Sequence, residues 1–352
     1  MCRTSQQHFN PKANKWRFFC SLHLPLVALF LLASLLLANW NASTARAQDQ
    51  EKYRLYLSIV TNNASPFSSV TGVPIEEPDW LMYINSMRAL ASLPPLALNA
   101  AWSDGAAKHA RYMVKNDYIG HDEDPTNPWF TPEGRDAARS GNVLVSSNIN
   151  MGVEEAIDMW MQGPFHALGI LDPALRETGF GIYREAVGVR HFGATLDVLR
   201  GRSTVPDTIS FPVMWPGDGA TVHLTTFPGN EFPDPLSSCP GYTAPTGLPI
   251  IVQFGNGSTT PRVTASSFTQ GTTELPHCVF DETTYNHPDP AFQSWGRNLL
   301  NSRDAVVIIP RAPLEPGATY TVSLTVNGTR LTWTFSVAEA GTKLPAPTTV
   351  VR

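Results

Sequence analysis

Gly152-Val153-Glu154-Glu155-Ala156-Ile157-Asp158-Met159-Trp160-Met161-Gln162-Gly163-Pro164-Phe165-His166 is the stretch on which the reading of this chain turns. Ala156, Ile157 and Trp160 share one face of a 3.6-residue period, which predicts a helix beginning near Gly152. Glu154 and Glu155 stand in its first turn, where the positive end of the helix dipole favours a carboxylate. Ile170-Leu171-Asp172-Pro173 follows shortly after His166.

Working outward toward the N-terminus, Leu81, Ile84, Met87 and Ala91 recur every three or four residues behind Glu77-Pro78-Asp79. Leu93-Pro94-Pro95-Leu96 ends that helix. A second helix fits Trp102, Ala106, Ala110 and Met113, with Ser103-Asp104 near its start. Strand candidates lie at 143–146, 179–184 and 191–199. Helices and strands mixed over residues 78–200 predict a layered α+β domain. His109 falls on the apolar stripe of the second helix and is expected to pack in the core. Asp122-Glu123-Asp124 lacks calcium-loop spacing and meets Pro125, so a solvated acidic loop is expected there.

Toward the C-terminus the character changes at about Val205, where helical periodicity disappears and proline becomes dense. Strands are expected at 250–254, 305–309, 319–326 and 330–337, the last two joined by the hairpin signal Asn327-Gly328. Tyr320, Val322, Leu324 and Val326 alternate with Thr321, Ser323 and Thr325, which predicts one buried and one wet face. Residues 205–338 therefore read as a β-sandwich, and 339–352 as a Pro/Thr/Ala-rich disordered tail.

The first 20 residues carry Arg3, Lys12, Lys15 and Arg17 and no acidic residue. An apolar run from Leu22 to Ala38 follows, and Ala45-Arg46-Ala47 supplies a small-x-small cleavage pattern. Residues 1–47 are thus expected to be a signal peptide, with 48–77 a linker holding one β-like run at 53–60. Beyond residue 47 no stretch is apolar enough to span a bilayer. Secretion and a monomeric state are expected. Removal of that segment leaves 20 basic against 30 acidic residues, a charge of −10. An acidic chain without a Lys/Arg block argues against nucleic acid as a partner. Cys239 and Cys278 would be the two cysteines left, and in an exported protein they are expected to pair. About 305 residues then remain, enough for two ordinary cores.

Five fragments fall in a recognisable order. They are Asn85-Ser86-Met87-Arg88 leading to Leu93-Pro94-Pro95-Leu96, then Ala110-Arg111-Tyr112-Met113, Tyr118-Ile119-Gly120-His121, Trp160 through His166, and Thr178-Gly179-Phe180-Gly181. Together they resemble bacterial SCP-like domains of the CAP superfamily, whose helix motif reads W-M-x-S-P-G-H. The resemblance implies an α-β-α sandwich with a cleft of two histidines and two glutamates that in some members holds a divalent metal. Residue by residue, the histidines correspond to His121 and His166. The first glutamate's region reads Ser140-Gly141-Asn142-Val143, without a carboxylate, and the second glutamate's position is Gly163. Pro313 through Val322, followed by Trp333-Thr334-Phe335, resembles the end of bacterial immunoglobulin-like domains. The whole is thus expected to be a CAP-type α-β-α sandwich followed by an all-β immunoglobulin-like sandwich.

These residues suggest three functions. The first is an extracellular binding module for a lipid, peptide or cell-envelope ligand, with His121, His166, Asn142 and Glu155 lining the cleft. The second is a metal-assisted hydrolase or peptidase using Zn on His121 and His166, with Glu155 as base. By helical geometry Glu155 lies about 140° from Trp160, off that residue's face. The third is a structural or adhesive surface protein. Neither G-x-S-x-G nor H-E-x-x-H occurs, and both remaining cysteines lie in the β segment, which leaves no Cys-His nucleophile pair in residues 78–200.

Overall fold

A computed structural model describes residues 78–341. The expected signal peptide, the linker with its β-like run, and the tail beyond residue 341 lie outside the described residues. Among the described residues, no helix is long and apolar enough to cross a membrane.

The first segment runs α1 (Asp79–Ala89), β1 (Ala97–Leu98), α2 (Ala100–Lys115), α3 (Pro132–Ser140), β2 (Gly141–Ser146), α4 (Val153–Gln162), α5 (Pro164–Ile170), β3 (Glu177–Thr178), β4 (Phe180–Arg184) and β5 (Phe192–Asp197). The Asn-Arg-Pro-Pro run at the start has a physical reason. Asn85 accepts the Leu96 N–H at 2.8 Å and donates to the Leu96 carbonyl at 3.2 Å, pinning the proline loop against α1. Arg88 is fully buried and donates to Pro94 O, Ile170 O and Asp172 O, so it satisfies carbonyls at the end of α5. Burial pushes its guanidinium down to about 10. The second helix starts earlier than Ser103: Asn99 caps it by accepting the Trp102 N–H. Ser103 instead accepts the Phe180 N–H and ties β4 to the helix.

The sheet has the order β2-β5-β4, all antiparallel. Its register puts Asn142, Leu196 and Phe180 abreast on one face, followed by Leu144, Ala194 and Ile182. Trp160 of α4 and Trp80 of α1 pack their rings against Phe180 on that face. The other face carries Val143, Val145, Gly181 and Gly193, and Met113 of α2 packs with the two valines. Here α2 lies directly on the strands. A side chain added at Gly193 would stand 2.6 Å from the Ala110 carbonyl oxygen, and one at Gly181 would meet the Ala107 backbone. Helices thus cover both faces of one sheet, an α-β-α arrangement. α3, which has almost no apolar period, was not foreseen. Thr131 caps it, Pro132 opens it and only Gly134, Ala137 and Ala138 are buried.

The second segment contains β6 (Val213–Trp215), β7 (Thr221–Val222), β8 (Thr226–Phe227), β9 (Thr246–Gly247), β10 (Ile250–Gln253), β11 (Val263–Gln270), β12 (Thr273–Glu274), β13 (His277–Asp281), α6 (Pro290–Asn301), β14 (Ala305–Pro310), β15 (Thr319–Val326) and β16 (Thr329–Val337). They form a four-stranded sheet β13-β14-β10-β6 and a five-stranded sheet β12-β11-β15-β16-β7. The Asn327-Gly328 hairpin joins β15 and β16, both residues at positive φ. β10 and β14 are buried throughout, while β15 buries Tyr320, Val322, Leu324 and Val326 as its alternation predicts; Ser323, expected on the wet face, is buried as well and bonds Thr332 and the Leu331 carbonyl of β16. The expectation that helices end at Val205 is corrected by α6, which Asp289 caps and Pro290 opens. Phe292, Trp295, Leu299 and Leu300 recur on it at helical spacing, but only Gly296 and Leu300 are fully buried. Cys239 and Cys278 form a disulfide with Cα atoms 5.6 Å apart. Closing a loop of this length contributes about 3–4 kcal/mol.

The two segments do not hold separate cores. One buried apolar cluster runs from Leu81 through Trp160 and Leu171 to Trp215, Ile251, Val307 and Trp333. Polar links cross it: Gln253 donates to Leu171 O at 2.9 Å, and Arg303 pairs with Asp172 at 2.8 Å with both side chains nearly inaccessible. Tyr83, Asp158 and His223 meet in a third link, where the Tyr83 hydroxyl donates to Asp158 at 2.7 Å.

Candidate functional site

His166 sits in the first turn of α5, immediately beyond the Gly163-Pro164 junction with α4, and is fully buried. Its carbonyl accepts the Asn142 side-chain amide at 3.2 Å, so β2 and α5 bring those two predicted cleft residues together. Its imidazole Nδ1 lies 2.9 Å from Glu231 Oε1, and the same oxygen accepts the His166 backbone N–H at 2.8 Å. Glu231 also accepts from the Phe165 backbone, which places the carboxylate at the positive end of α5. Its own residue is only 3% exposed. Burial pushes the Glu231 carboxyl above its ordinary value, against the lowering effect of His166 and the two backbone donors. His166 Nε2 and Glu231 Oε2 are buried and have no hydrogen-bond partner among the described residues.

His121 lies in the loop after α2 and is 6% exposed. Its Nδ1 is 2.8 Å from the Ala138 carbonyl of α3, so Nδ1 carries the proton. On the exposed first turn of α4, Glu155 Oε2 accepts the Gly152 N–H at 3.3 Å and closes the helix start.

His109 is buried as expected, and it is also polar-bonded. Nε2 donates to Gly120 O at 2.8 Å, and Nδ1 lies 2.9 Å from Glu123 Oε1. This corrects the solvated acidic loop: Glu123 is 2% exposed, and its other oxygen accepts the Thr131 N–H. Asp122 is gripped by Arg135 and Arg139, which outweigh burial and hold its carboxyl at about 2. Glu123 turns inward because His109 and the Thr131 N–H meet its two oxygens there, partners that sequence spacing does not display, while Asp124 stays exposed as expected and bonds Thr126.

The donor set does not fit a metal centre. Among the described residues no three His, Cys, Asp or Glu side chains converge as a metal-holding group, and a zinc site needs three or four ligands. Glu231 is a site residue that the sequence did not disclose. The one available signal was Gly163, a glycine at φ −93° and ψ 119°, where any residue is comfortable.

Against this geometry, residues 81–194 match the cysteine-rich secretory protein family, CAP. Among curated proteins none matches the chain.

Proposed function

We propose, on the match of residues 81–194 to the CAP family, that the chain is a secreted binding module that takes a lipid, peptide or cell-wall ligand in a cleft around His121, Asn142 and His166. The second segment, read as an immunoglobulin-like sandwich, completes that cleft rather than serving as a remote spacer. The observation that carries the reading is the His166–Glu231 pair, with two buried polar atoms that have no protein partner among the described residues. Native interiors rarely leave such atoms without a function or a ligand. Zinc is not invoked, since the donors present do not make a site for it.

The same pair is what an oriented general base looks like, which keeps extracellular hydrolysis as a second reading. One experiment separates them. Residues 48–352 and His166→Ala are incubated with purified peptidoglycan and, separately, with phosphatidylcholine vesicles, then sedimented. Saturable binding to one of these, weakened at least tenfold in the variant, supports the binding module. Soluble fragments released by the parent and not by the variant would move the assignment to a hydrolase. Binding equal in parent and variant, or none, sinks the cleft as the binding surface.

A further inference from the structure

The carboxylate that holds His166 comes from outside the matched domain. Glu231 lies between β8 and the short 3₁₀ turn Pro235–Ser238, well past residue 194. It reaches the α4–α5 junction because Gly163 has no side chain. A Cβ on Gly163 would stand 2.7 Å from Glu231 Oε1 and 2.9 Å from its Cδ, inside the closest approach real Cβ atoms make. The backbone at Gly163 is in the ordinary extended region, so no turn or strain demands glycine there. The bare Cα is explained by the carboxylate alone.

From this geometry we infer that Glu231 is a positioning residue for His166: it accepts a hydrogen bond from Nδ1–H and leaves the buried Nε2 as the ring's lone-pair nitrogen, through the gap kept open at Gly163. The hydrogen bonds fix the direction. An oxygen that carries no proton can only accept, so the ring nitrogen facing Oε1, which also receives the His166 backbone N–H, donates to it. This holds whether Glu231 is ionised or carries a proton on Oε2. The opposite tautomer would bury an N–H at Nε2 with no acceptor among the described residues, costing about 1–3 kcal/mol. The chemical consequence is selectivity. A cleft presenting a neutral imidazole lone pair takes a ligand through a hydroxyl or amide donor, and the second segment decides that property. The ligand class rests on the binding-module reading, whereas the tautomer does not.

The test therefore needs no ligand. Long-range ¹H–¹⁵N correlation of the histidine rings in ¹⁵N-labelled residues 48–352 at pH 8, with His166→Asn for assignment, reports which nitrogen is protonated. The expected result is a protonated Nδ1 and a pyridine-type Nε2 in the parent. Glu231→Gln, whose amide oxygen still accepts, keeps that pattern. Glu231→Ala and Gly163→Ala lose it, with the proton moving to Nε2 in at least half the molecules. A parent spectrum with Nδ1 unprotonated, or with both nitrogens protonated at pH 8, overturns the inference. So does an unchanged pattern in a folded Glu231→Ala or Gly163→Ala protein. If both alanine variants fail to fold, the parent spectrum alone decides. Failure of the envelope-binding experiment with the expected tautomer intact would remove the ligand reading and leave the positioning role standing.

Discussion

A single oxygen, Oε1 of Glu231, organises the candidate site. It takes the backbone and ring N–H groups of His166 together. The energetic consequence is measurable. A carboxyl whose folded value lies above its ordinary 4.5 holds more protons folded than unfolded. Its contribution to stability is present below 4.5 and is lost as pH rises through the raised folded value. Glu231→Gln does not titrate, so the stability of the parent relative to this variant should fall between pH 4.5 and 7.5. Urea unfolding at the two pH values measures it, and parallel parent and variant stabilities would show that Glu231 is not a buried titrating group. Sequence reading found His166 and Asn142 because motif residues recur in fixed local order. It missed Glu231, since nothing in Gly229-Asn230-Glu231-Phe232-Pro233 indicates which helix end it will meet.

At the scale of elements, the spacing of apolar residues predicted α1, α2, α4 and the three main strands, because each buries one regular face. The helices it missed, α3, α5 and α6, share a different origin. They are opened by Pro at N1, and the caps of α3 and α6 are side-chain caps on Thr131 and Asp289. In α3 the buried stripe is only Gly134, Ala137 and Ala138, in α5 every residue is buried, and in α6 the apolar period of Phe292, Trp295 and Leu299 stands in a proline-dense segment that reads as β-rich. Contact between elements is equally specific. Gly181 lets α2 lie on β4, with the Ala107 backbone where a side chain would be. Gly181→Ala should therefore cost about 1–3 kcal/mol, as over-packing does. The measurement is the urea midpoint against Gly271→Ala, where an added Cβ meets nothing but the backbone sits at positive φ. A loss at Gly181 no larger than the strain cost at Gly271 would mean the helix shifts freely over the sheet.

Over the whole molecule, the segments 79–200 and 205–338 stand or fall together. Asp172, at the end of α5, faces Arg303 from the turn before β14 and Arg202 from the end of the first segment. Arg303 is buried, and loss of solvent lowers its guanidinium from the ordinary range while Asp172 opposes that. Arg202 stays beside Asp172 when Arg303 is removed, so Arg303→Ala should destabilise by about 1–3 kcal/mol, the cost of a buried polar group that loses one partner. Fluorescence of the tryptophans in both segments should follow one unfolding transition. Two separated transitions would show that the shared core does not couple them. The sequence alone determined the main helices and strands of an α-β-α segment ahead of a β-rich one, because periodicity, turn chemistry and motif order are local properties of the chain, and the count of two remaining cysteines pointed to their pairing. The tertiary structure alone decided that the two segments share a core, that Glu123 is buried, and that the carboxylate beside His166 comes from Glu231. Each of those depends on which surfaces meet after folding, and burial of a charge is favourable only where its partner, distant in sequence, arrives at the same place.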